Sequence, residues 1–307
     1  MKAGKIMFSL LVAISVLSTC IANEDKRFTY EEIKNSTVEH IHGLGYINGQ
    51  QEIAIATHNG LYKYGQDGWR EANGQKHDYM GFQATRDGFF ASGHPEKGSN
   101  LKNPFGLIKS TDSGASFEQL SFYGENDFHY LAAGYNSNMV YVYNETATND
   151  MEVGLHFSEN EGESWTKVNM KGYNSNTLSN LVAHPTKKEL LVVGSQDGVF
   201  MSNDYGENFT LINHAKMVTF VILNQIGGFY SNFENEQVKL KAFFFDKKDE
   251  KNIPLPKEEN LQPILYIATN PENPKEIVFM TNNIDIYLTK DEGITWNKLA
   301  TKGKLLE

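Results

Sequence analysis

Residues 110–117 read Ser-Thr-Asp-Ser-Gly-Ala-Ser-Phe, and the same pattern returns three more times along the chain. Each copy has a Ser or Thr, an Asp or Asn two positions later, then a Gly and finally a Phe or Trp. The copies occupy residues 110–117, 158–165, 202–209 and 289–296, with a shortened version at 64–69. Four matching copies in one chain indicate an internal structural repeat.

The repeated pattern predicts a tight turn between two strands. A carboxylate or amide oxygen accepts backbone N–H groups across the turn, and Gly supplies a backbone angle that other residues resist. The aromatic residue that follows is expected to pack between neighbouring sheets. We call these segments the repeat turns and expect a structural role for Asp112, Gly114, Phe117, Asn160, Gly162, Trp165, Asp204, Gly206, Phe209, Asp291, Gly293 and Trp296.

The spacing of the repeats predicts the architecture. An apolar run precedes each turn, and the runs that begin at Gly60, Gly106, Gly154 and Gly198 are 46, 48 and 44 residues apart. This period suits a four-stranded blade of a β-propeller. The next run begins 87 residues later, at Asp285, so one unit near residues 239–246 has kept its strand and lost its turn.

We therefore predict an all-β chain whose residues 37–307 form a single six-bladed β-propeller. Seven blades are the alternative count if the N-terminal arm, residues 28–33, contributes to ring closure. The 307 residues include 40% hydrophobic residues, enough for a core of this size.

The N-terminus is predicted to be an export signal. Residues 1–22 combine Lys2 and Lys5 with an apolar stretch too short to span a membrane comfortably. Residues 17–20 resemble a bacterial lipobox, which would make Cys20 the lipidated first residue of the mature protein. Residues 20–22 also resemble an ordinary signal-peptidase site. An uncleaved N-terminal anchor is the third alternative. All three place the propeller outside the cytoplasm, and the first two leave it anchored by lipid at the outer face of the cell membrane or secreted. Residues 23–36 then form a polar tether.

Composition excludes several classes of partner. The net charge of −10 repels nucleic acid, and it disfavours a membrane contact other than through a lipid anchor. Cys20 is the single cysteine, so an intrachain disulfide and a cysteine-rich zinc site are excluded. The partner is expected to be an extracellular ligand or protein, and the chain is expected to be monomeric.

Histidines provide the clearest indication of a site. His40, His42 and His129 lie at the start of predicted first strands, opposite the repeat turns, and a metal site is predicted there. A divalent transition metal is the candidate cofactor. The loops after the second strands carry the predicted ligand-binding residues His58, Asn59 and His94. Structural histidines and an acid–base cluster are the two alternatives.

Two carboxylates are the catalytic candidates. Asp78 and Asp127 align with each other at the start of first strands, and glycoside hydrolases need two opposed carboxyl groups. A sialidase is not expected, because a triple arginine grip on the substrate carboxylate would need all three arginines of the chain. Arg27 lies in the tether, and Arg70 lies on the face of the repeat turns.

The repeat turns resemble Asp-box repeats, also called BNR repeats. The segments HIHGLGY, ATHNGLYKY and DFHYLA, with the long stretch from SGHP to STDSGASF, are similar to a family of exported bacterial Asp-box propellers. Such proteins are described as glycosylhydrolase-like or sortilin-like, and the resemblance implies the fold without an established reaction. Two hypotheses follow: a cell-surface binding or assembly module, or a hydrolase of glycans or another extracellular polymer.

Overall fold

The computed structural model describes residues 27–307, and all regular secondary structure in this range is β-strand. The predicted signal segment and Cys20 lie outside the described residues. The strands form six antiparallel sheets, and the innermost strand of each sheet contacts the innermost strands of both neighbours around a closed ring. The six-bladed β-propeller is therefore confirmed. Within residues 27–307, no helix is long and apolar enough to cross a membrane.

The strands of the first three blades run from the axis outward. Blade 1 contains β2 (Ile41–Tyr46), β3 (Ile53–Thr57), β4 (Gly60–Gly65) and β5 (Gly68–Ala72), with β1 (Tyr30–Glu32) added at its outer edge. Blade 2 contains β6 (Asp78–Thr85), β7 (Gly88–His94), β8 (Leu107–Ser110) and β9 (Glu118–Ser121). Blade 3 contains β10 (Tyr130–Ala133), β11 (Val140–Asn144), β12 (Gly154–Ser158) and β13 (Thr166–Lys167).

The other three blades repeat this order. Blade 4 contains β14 (Asn180–Ala183), β15 (Leu191–Ser195), β16 (Gly198–Ser202) and β17 (Thr210–Asn213). Blade 5 contains β18 (Val218–Leu223), β19 (Gly227–Glu234), β20 (Gln237–Phe244) and β21 (Glu250–Ile253). Blade 6 contains β22 (Ile264–Asn270), β23 (Asn273–Thr281), β24 (Ile286–Thr289), β25 (Asn297–Thr301) and β26 (Lys304–Leu305).

The N-terminal arm joins blades 1 and 6 instead of adding a seventh blade. Strand β1 pairs with β5, although its residues belong to the segment expected to be a polar tether. Phe28 and Tyr30 pack on the core between blades 1 and 2, and this packing explains why the arm is a strand of blade 1 and not a free tether. The chain then pairs with the outer edge of blade 6, where Val38 donates its amide to Gly303 and Leu305 donates its amide to Ser36.

The hydrophobic core is divided among the interfaces between blades. Six clusters of buried apolar side chains are present among the described residues, and each lies between two neighbouring sheets. A single sheet cannot bury both of its faces alone, so each blade needs a neighbour on both sides. This requirement closes the ring.

The repeat turns share one set of hydrogen bonds. In each turn the first hydroxyl donates to the Asp or Asn oxygen at 2.7–2.9 Å and accepts the Gly amide at 2.8–2.9 Å. The same oxygen also accepts a backbone amide four residues later. Asn160 makes these bonds as the three aspartates do. The turns connect third and fourth strands, so they lie on the face opposite the loops that carry His58 and His94.

Candidate functional site

Six of the nine histidines are candidates for chemistry, and three are buried structural residues. His77, His156 and His184 are almost fully buried, and burial lowers the pKa of each imidazole. His77, for example, packs against Phe105 and Phe117. Of the others, His214 lies apart, and the remaining five lie on one face, which we call the histidine-bearing face: His40, His42, His58, His94 and His129.

The first cluster consists of His42, His58 and Asp78. The His42 Nε2 atom lies 3.2 Å from Asp78 Oδ1, and His58 Nδ1 lies 2.8 Å from Asp78 Oδ2. One ligand atom of each residue lies within 4.8 Å of the other two. The carboxylate comes from blade 2 and both imidazoles come from blade 1, so the cluster spans the interface between these blades.

Glycine residues allow this approach of blade 1 to blade 2. A Cβ atom on Gly43 would lie 2.9 Å from Phe82 Cβ, and one on Gly45 would lie 2.5 Å from Ala84 Cβ. Any larger residue at position 43 or 45 would therefore push β6 away. The pairing of β2 with β3 shifts register between Ile41 and Gly43, so His42 lies at a bulge in the strand.

The loop between β3 and β4 holds His58 in place. Thr57 Oγ1 accepts the amide of Asn59 and donates to the carbonyl of Gly60, which closes a tight turn. The His58 amide donates to the carbonyl of His40. His40 itself has a positive φ of 50° and lies before β2, with its ring centroid 6.0 Å from that of His58.

The second cluster consists of His94, Asp127 and His129. Asp127 Oδ2 lies 3.2 Å from His94 Nε2 and 2.9 Å from His129 Nε2. Ser92 Oγ lies 3.4 Å from the other carboxylate oxygen. The Asn103 side chain lies 2.6 Å from His94 Nδ1, so both nitrogens of this ring have polar neighbours.

In the second cluster the carboxylate and the imidazoles each stabilise the charged form of the other. Burial acts to raise the pKa of Asp127, but the hydrogen bond from His129 and the charges of His129 and His94 outweigh it and lower this pKa. The hydrogen bond to Asp127 is the largest factor that raises the pKa of His129 to about 8, and Glu145 adds to it. The cluster therefore holds an ionised carboxylate next to an imidazole that is protonated near neutral pH.

The loop after β11 brings Glu145 to the second cluster. Glu145 Oε2 lies 3.3 Å from His129 Nδ1. The buried amide of Asn144 donates to the carbonyls of Thr146, Met151 and Glu152 and thereby folds the loop back on itself. The sequence shows this loop to be acidic, but its contact with His129 depends on the folding of the loop.

The two clusters occupy equivalent positions in successive blades. Each contains an Asp near the start of an inner strand and a His from the preceding blade, either in the β3–β4 loop or at the end of β7. Asp78 and His94 are also register partners in β6 and β7, so the clusters meet in blade 2. His42 lies 3.2 Å from Asp78 across one interface, and His94 lies 3.2 Å from Asp127 across the next.

A central channel opens beside both clusters. It is a cavity of about 670 Å³ lined by the inner strands of all six blades, with His42 and His129 among its lining residues. Most of the wall is apolar or small, as at Leu44, Phe82 and Leu131. The channel therefore offers apolar contact along its length and the imidazoles of His42 and His129 at one mouth.

The structure groups the predicted residues differently from the sequence-based expectation. The predicted metal residues His40, His42 and His129 do not form one group, because His42 pairs with Asp78 while His129 pairs with Asp127. The two catalytic candidates instead provide the centre of each cluster. The sequence pattern missed Ser92, Asn103 and Glu145, whose roles depend on contacts between loops.

The chemistry available at this face is coordination, hydrogen bonding and proton exchange near neutral pH. A glycoside hydrolase also needs a carboxylic acid that stays protonated, and the shift of the pKa of Asp127 is in the opposite direction. Its interaction with two imidazoles favours the ionised carboxylate.

Comparison with solved structures shows the fold. The chain is similar to a GH74 enzyme from Niastella koreensis, with a TM-score of 0.56 and 15% identity over 88% of this chain and 47% of that one. It is also similar to a chain of a nidogen/laminin complex, with a TM-score of 0.58 and 9% identity over 83% and 95% of the two chains. YCF48 bound to a D1 peptide gives a TM-score of 0.50 and 16% identity over 88% and 83%.

The chain spans about half the length of the GH74 enzymes that it matches. No protein-family model matches the chain, and no curated protein matches it. At these identities the comparisons establish a β-propeller that is shared by enzymes and by proteins solved in complexes with a protein or peptide partner.

Proposed function

We propose that the chain is an exported, cell-surface binding module of the Asp-box propeller type, which acts as a monomer. Its ligand is a segment of an extracellular protein partner, bound at the mouth of the central channel on the histidine-bearing face. The export signal and lipid anchor at Cys20 belong to this proposal and rest on the sequence of residues 1–22.

The channel is the observation that carries the proposal. Ligand sites are concave and mostly apolar, with a few polar groups that fix orientation, and the channel with its two clusters has this composition. Each inner strand pairs on one side only, so its other edge faces the axis. An extended peptide can therefore place an apolar side chain in the channel while its backbone bonds to groups at the mouth.

The similar structures support a polypeptide ligand. Two of them are described as complexes, one of nidogen with laminin and the other of YCF48 with a D1 peptide. The channel wall of the present chain is predominantly apolar, which suits side chains such as Leu or Phe better than a sugar alone.

A hydrolase of glycans is the second candidate. It is favoured by the two carboxylates on one face, Asp78 and Asp127, and by the similarity to GH74 enzymes. It is disfavoured by the engagement of each carboxylate with two imidazoles. A panel of polysaccharides incubated with the wild type and with Asp127→Asn separates the two functions, because turnover that depends on Asp127 would support the hydrolase.

Peptide selection tests the binding proposal. A random-peptide display library is selected on the immobilised protein with a chelator present, and selected peptides are synthesised for affinity measurement. Met80 lines the channel, and Met80→Trp fills the opening. We expect this change to weaken peptide binding by about tenfold or more, as for a residue at the centre of an interface.

The matched control places the same side chain on the other face. Ile294 is 78% exposed in the last repeat turn, so Ile294→Trp leaves the channel unchanged. The proposal requires normal peptide binding by this variant. Peptides that bind Met80→Trp as tightly as the wild type, or that lose binding only with Ile294→Trp, would overturn the proposed location of the site.

A further inference from the structure

We propose that His42, His58 and Asp78 form a binding site for one divalent transition-metal ion, with Zn²⁺ as the representative ion. The inference deepens the proposed function, because it assigns a metal to the same face. It stands on the geometry of the first cluster, and metal binding can be measured with no peptide present. A failure of the metal site would therefore leave the peptide-binding proposal intact, and the reverse also holds.

The separation of His42 and Asp78 matches that between two ligands of one ion. Zinc lies about 2.0–2.2 Å from imidazole nitrogen and carboxylate oxygen, so two ligands of one ion are separated by about 3.0–3.5 Å. His42 Nε2 and Asp78 Oδ1 are 3.2 Å apart. His58 Nδ1 and Asp78 Oδ2 are 2.8 Å apart, and one ligand atom of each residue lies within 4.8 Å of the others.

Two buried atoms of the cluster lack a hydrogen bond. His42 Nε2 and Asp78 Oδ1 are both buried and have no hydrogen-bonding partner, although they lie close to each other. The Asp78 side chain is only 9% exposed, so water does not fully solvate its carboxylate. An unsatisfied buried carboxylate oxygen is costly, and a cation between the two atoms would satisfy both.

The second cluster provides a contrast within the same molecule. Both oxygens of Asp127 have neighbours, Ser92 at one and the imidazoles of His94 and His129 at the other. Among residues 27–307, the first cluster is the group in which three possible ligand atoms lie within 4.8 Å of one another. Equivalent residues in adjoining blades thus form a hydrogen-bonded cluster in one case and, in the other, a cluster with two unsatisfied buried atoms.

The donor set indicates the class of metal. Two imidazole nitrogens and one carboxylate suit Zn²⁺, Fe²⁺, Co²⁺, Ni²⁺ or Cu²⁺, whereas Mg²⁺ and Ca²⁺ prefer oxygen ligands throughout. Three protein ligands leave at least one position for an outside donor. The His58 side chain is 57% exposed, so that position is accessible from solvent beside the channel mouth.

Titration of the protein with Zn²⁺ tests the site. The mature chain is purified without a metal-binding tag, treated with chelator and titrated with Zn²⁺ in a calorimeter. We expect one ion per chain, and we expect His58→Ala to weaken its affinity by about tenfold or more. His58 lies in an exposed turn, so this variant should fold; thermal unfolding without metal checks this.

A second measurement reports on the ligands directly. Co²⁺ should give a visible ligand-field absorption in the wild type that is lost with His42→Ala and with Asp78→Asn. His214→Ala is the matched control, since this exposed histidine lies in another part of the ring, and it should keep both Zn²⁺ and Co²⁺ binding. Equal Zn²⁺ affinity in the wild type and His58→Ala, or a loss with His214→Ala alone, would overturn the assignment.

Discussion

At the residue scale, Asp127 shows how one carboxylate can organise several imidazoles. It contacts His94 and His129 from different blades, and Glu145 adds a second negative charge beside His129. Asp127 and His129 share the segment before β10, while His94 ends β7 and Glu145 follows β11. The pKa of His129 therefore depends on Asp127, two residues before it in the sequence, and on Glu145, which the folding of the next loop brings into contact.

The stability of the protein should depend on pH through His129. Its pKa rises from 6.5 in the unfolded chain to about 8, so its ion pair stabilises the folded state below pH 6.5 and is lost as the pH rises through 8. At acidic pH the ion pair is lost again, because the Asp127 carboxylate becomes protonated as the pH falls through its lowered pKa. Because the His129 side chain is 49% exposed, the effect should be below about 1 kcal/mol.

Urea unfolding at several pH values measures this contribution. Relative to the wild type, His129→Gln should lose unfolding free energy just below pH 6.5 and should lose less above pH 8. His214→Gln serves as the control for removal of an exposed imidazole. A difference between wild type and His129→Gln that does not change with pH would contradict the assignment of His129 to this ion pair.

At the element scale, the repeat turns hold neighbouring blades together. The Gly of each turn packs against the preceding blade: Gly162 approaches Leu107, Gly206 approaches Leu155, and Gly293 approaches Ile253 and Pro254. The positive φ of these residues would by itself favour Gly. The close approach adds a second reason, because a Cβ atom would meet the neighbouring sheet.

Replacement of Gly206 by Ala separates these two reasons. Gly206 has a φ of +94°, and its added Cβ would lie 2.6 Å from Leu155 Cδ2. Gly68 in the shortened turn has a φ of +84° with no atom within 4 Å of the added Cβ. Both changes should cost about 1–2 kcal/mol for the backbone, and Gly206→Ala should cost about 1–3 kcal/mol more for overpacking.

Denaturant unfolding of the two variants provides the test. Their difference isolates the contact between the turn and blade 3, since the backbone strain is similar. Equal unfolding free energies for Gly206→Ala and Gly68→Ala would show that the turn does not press on the neighbouring blade as the structure indicates.

Blade 5 lacks a repeat turn and still occupies a regular place in the ring. Its strands β18–β21 follow the order of the other blades. Phe243 packs toward blade 4 and Phe244 toward blade 6, so the aromatic run at the end of β20 fills both interfaces. Burial of apolar side chains can thus maintain a blade without the turn.

At the scale of the whole molecule, the N-terminal arm and the last strand, β26, close the ring together. Residues 36–38 pair with β26 at the outer edge of blade 6, while β1 pairs with blade 1. Leu305 is buried in the cluster between these two blades. The pairing of residues 36–38 with β26, which we call the clasp, therefore supports the contact of the inner strands β2 and β22 from the outer edge of the ring.

Removal of residues 302–307 should open this clasp. The loss of buried Leu305 and of its hydrogen bonds should lower the unfolding free energy by about 2 kcal/mol or more. Hydrogen exchange measured by mass spectrometry should become faster in β2 and β22 than in β14, on the opposite side of the ring. Removal of Glu307 alone is the control. Uniform exchange changes in all six inner strands would contradict closure at this interface.

The fold was predictable because the repeat is a local signal that occurs several times. Each repeat turn needs a hydroxyl, an Asp or Asn, a Gly and an aromatic residue within eight positions. Their spacing can therefore be recognised in the sequence alone. The bounds of β12, Gly154–Ser158, coincide with the run expected before the second turn. The six-blade count followed from the period, and blade 5 was recognised from the missing turn and the doubled interval.

The sequence also placed five histidines and two carboxylates on one face, since strand direction in a repeat determines which loops share a face. Only the tertiary structure decided which of them meet. Asp78 lies next to His42 and His58 across one blade interface, and Asp127 lies next to His94 and His129 at the next. These partners are set by glycine-mediated close packing of inner strands, by a bulge in β2 and by the folding of the Glu145 loop. Such contacts join residues far apart in the chain, and no periodic pattern records them.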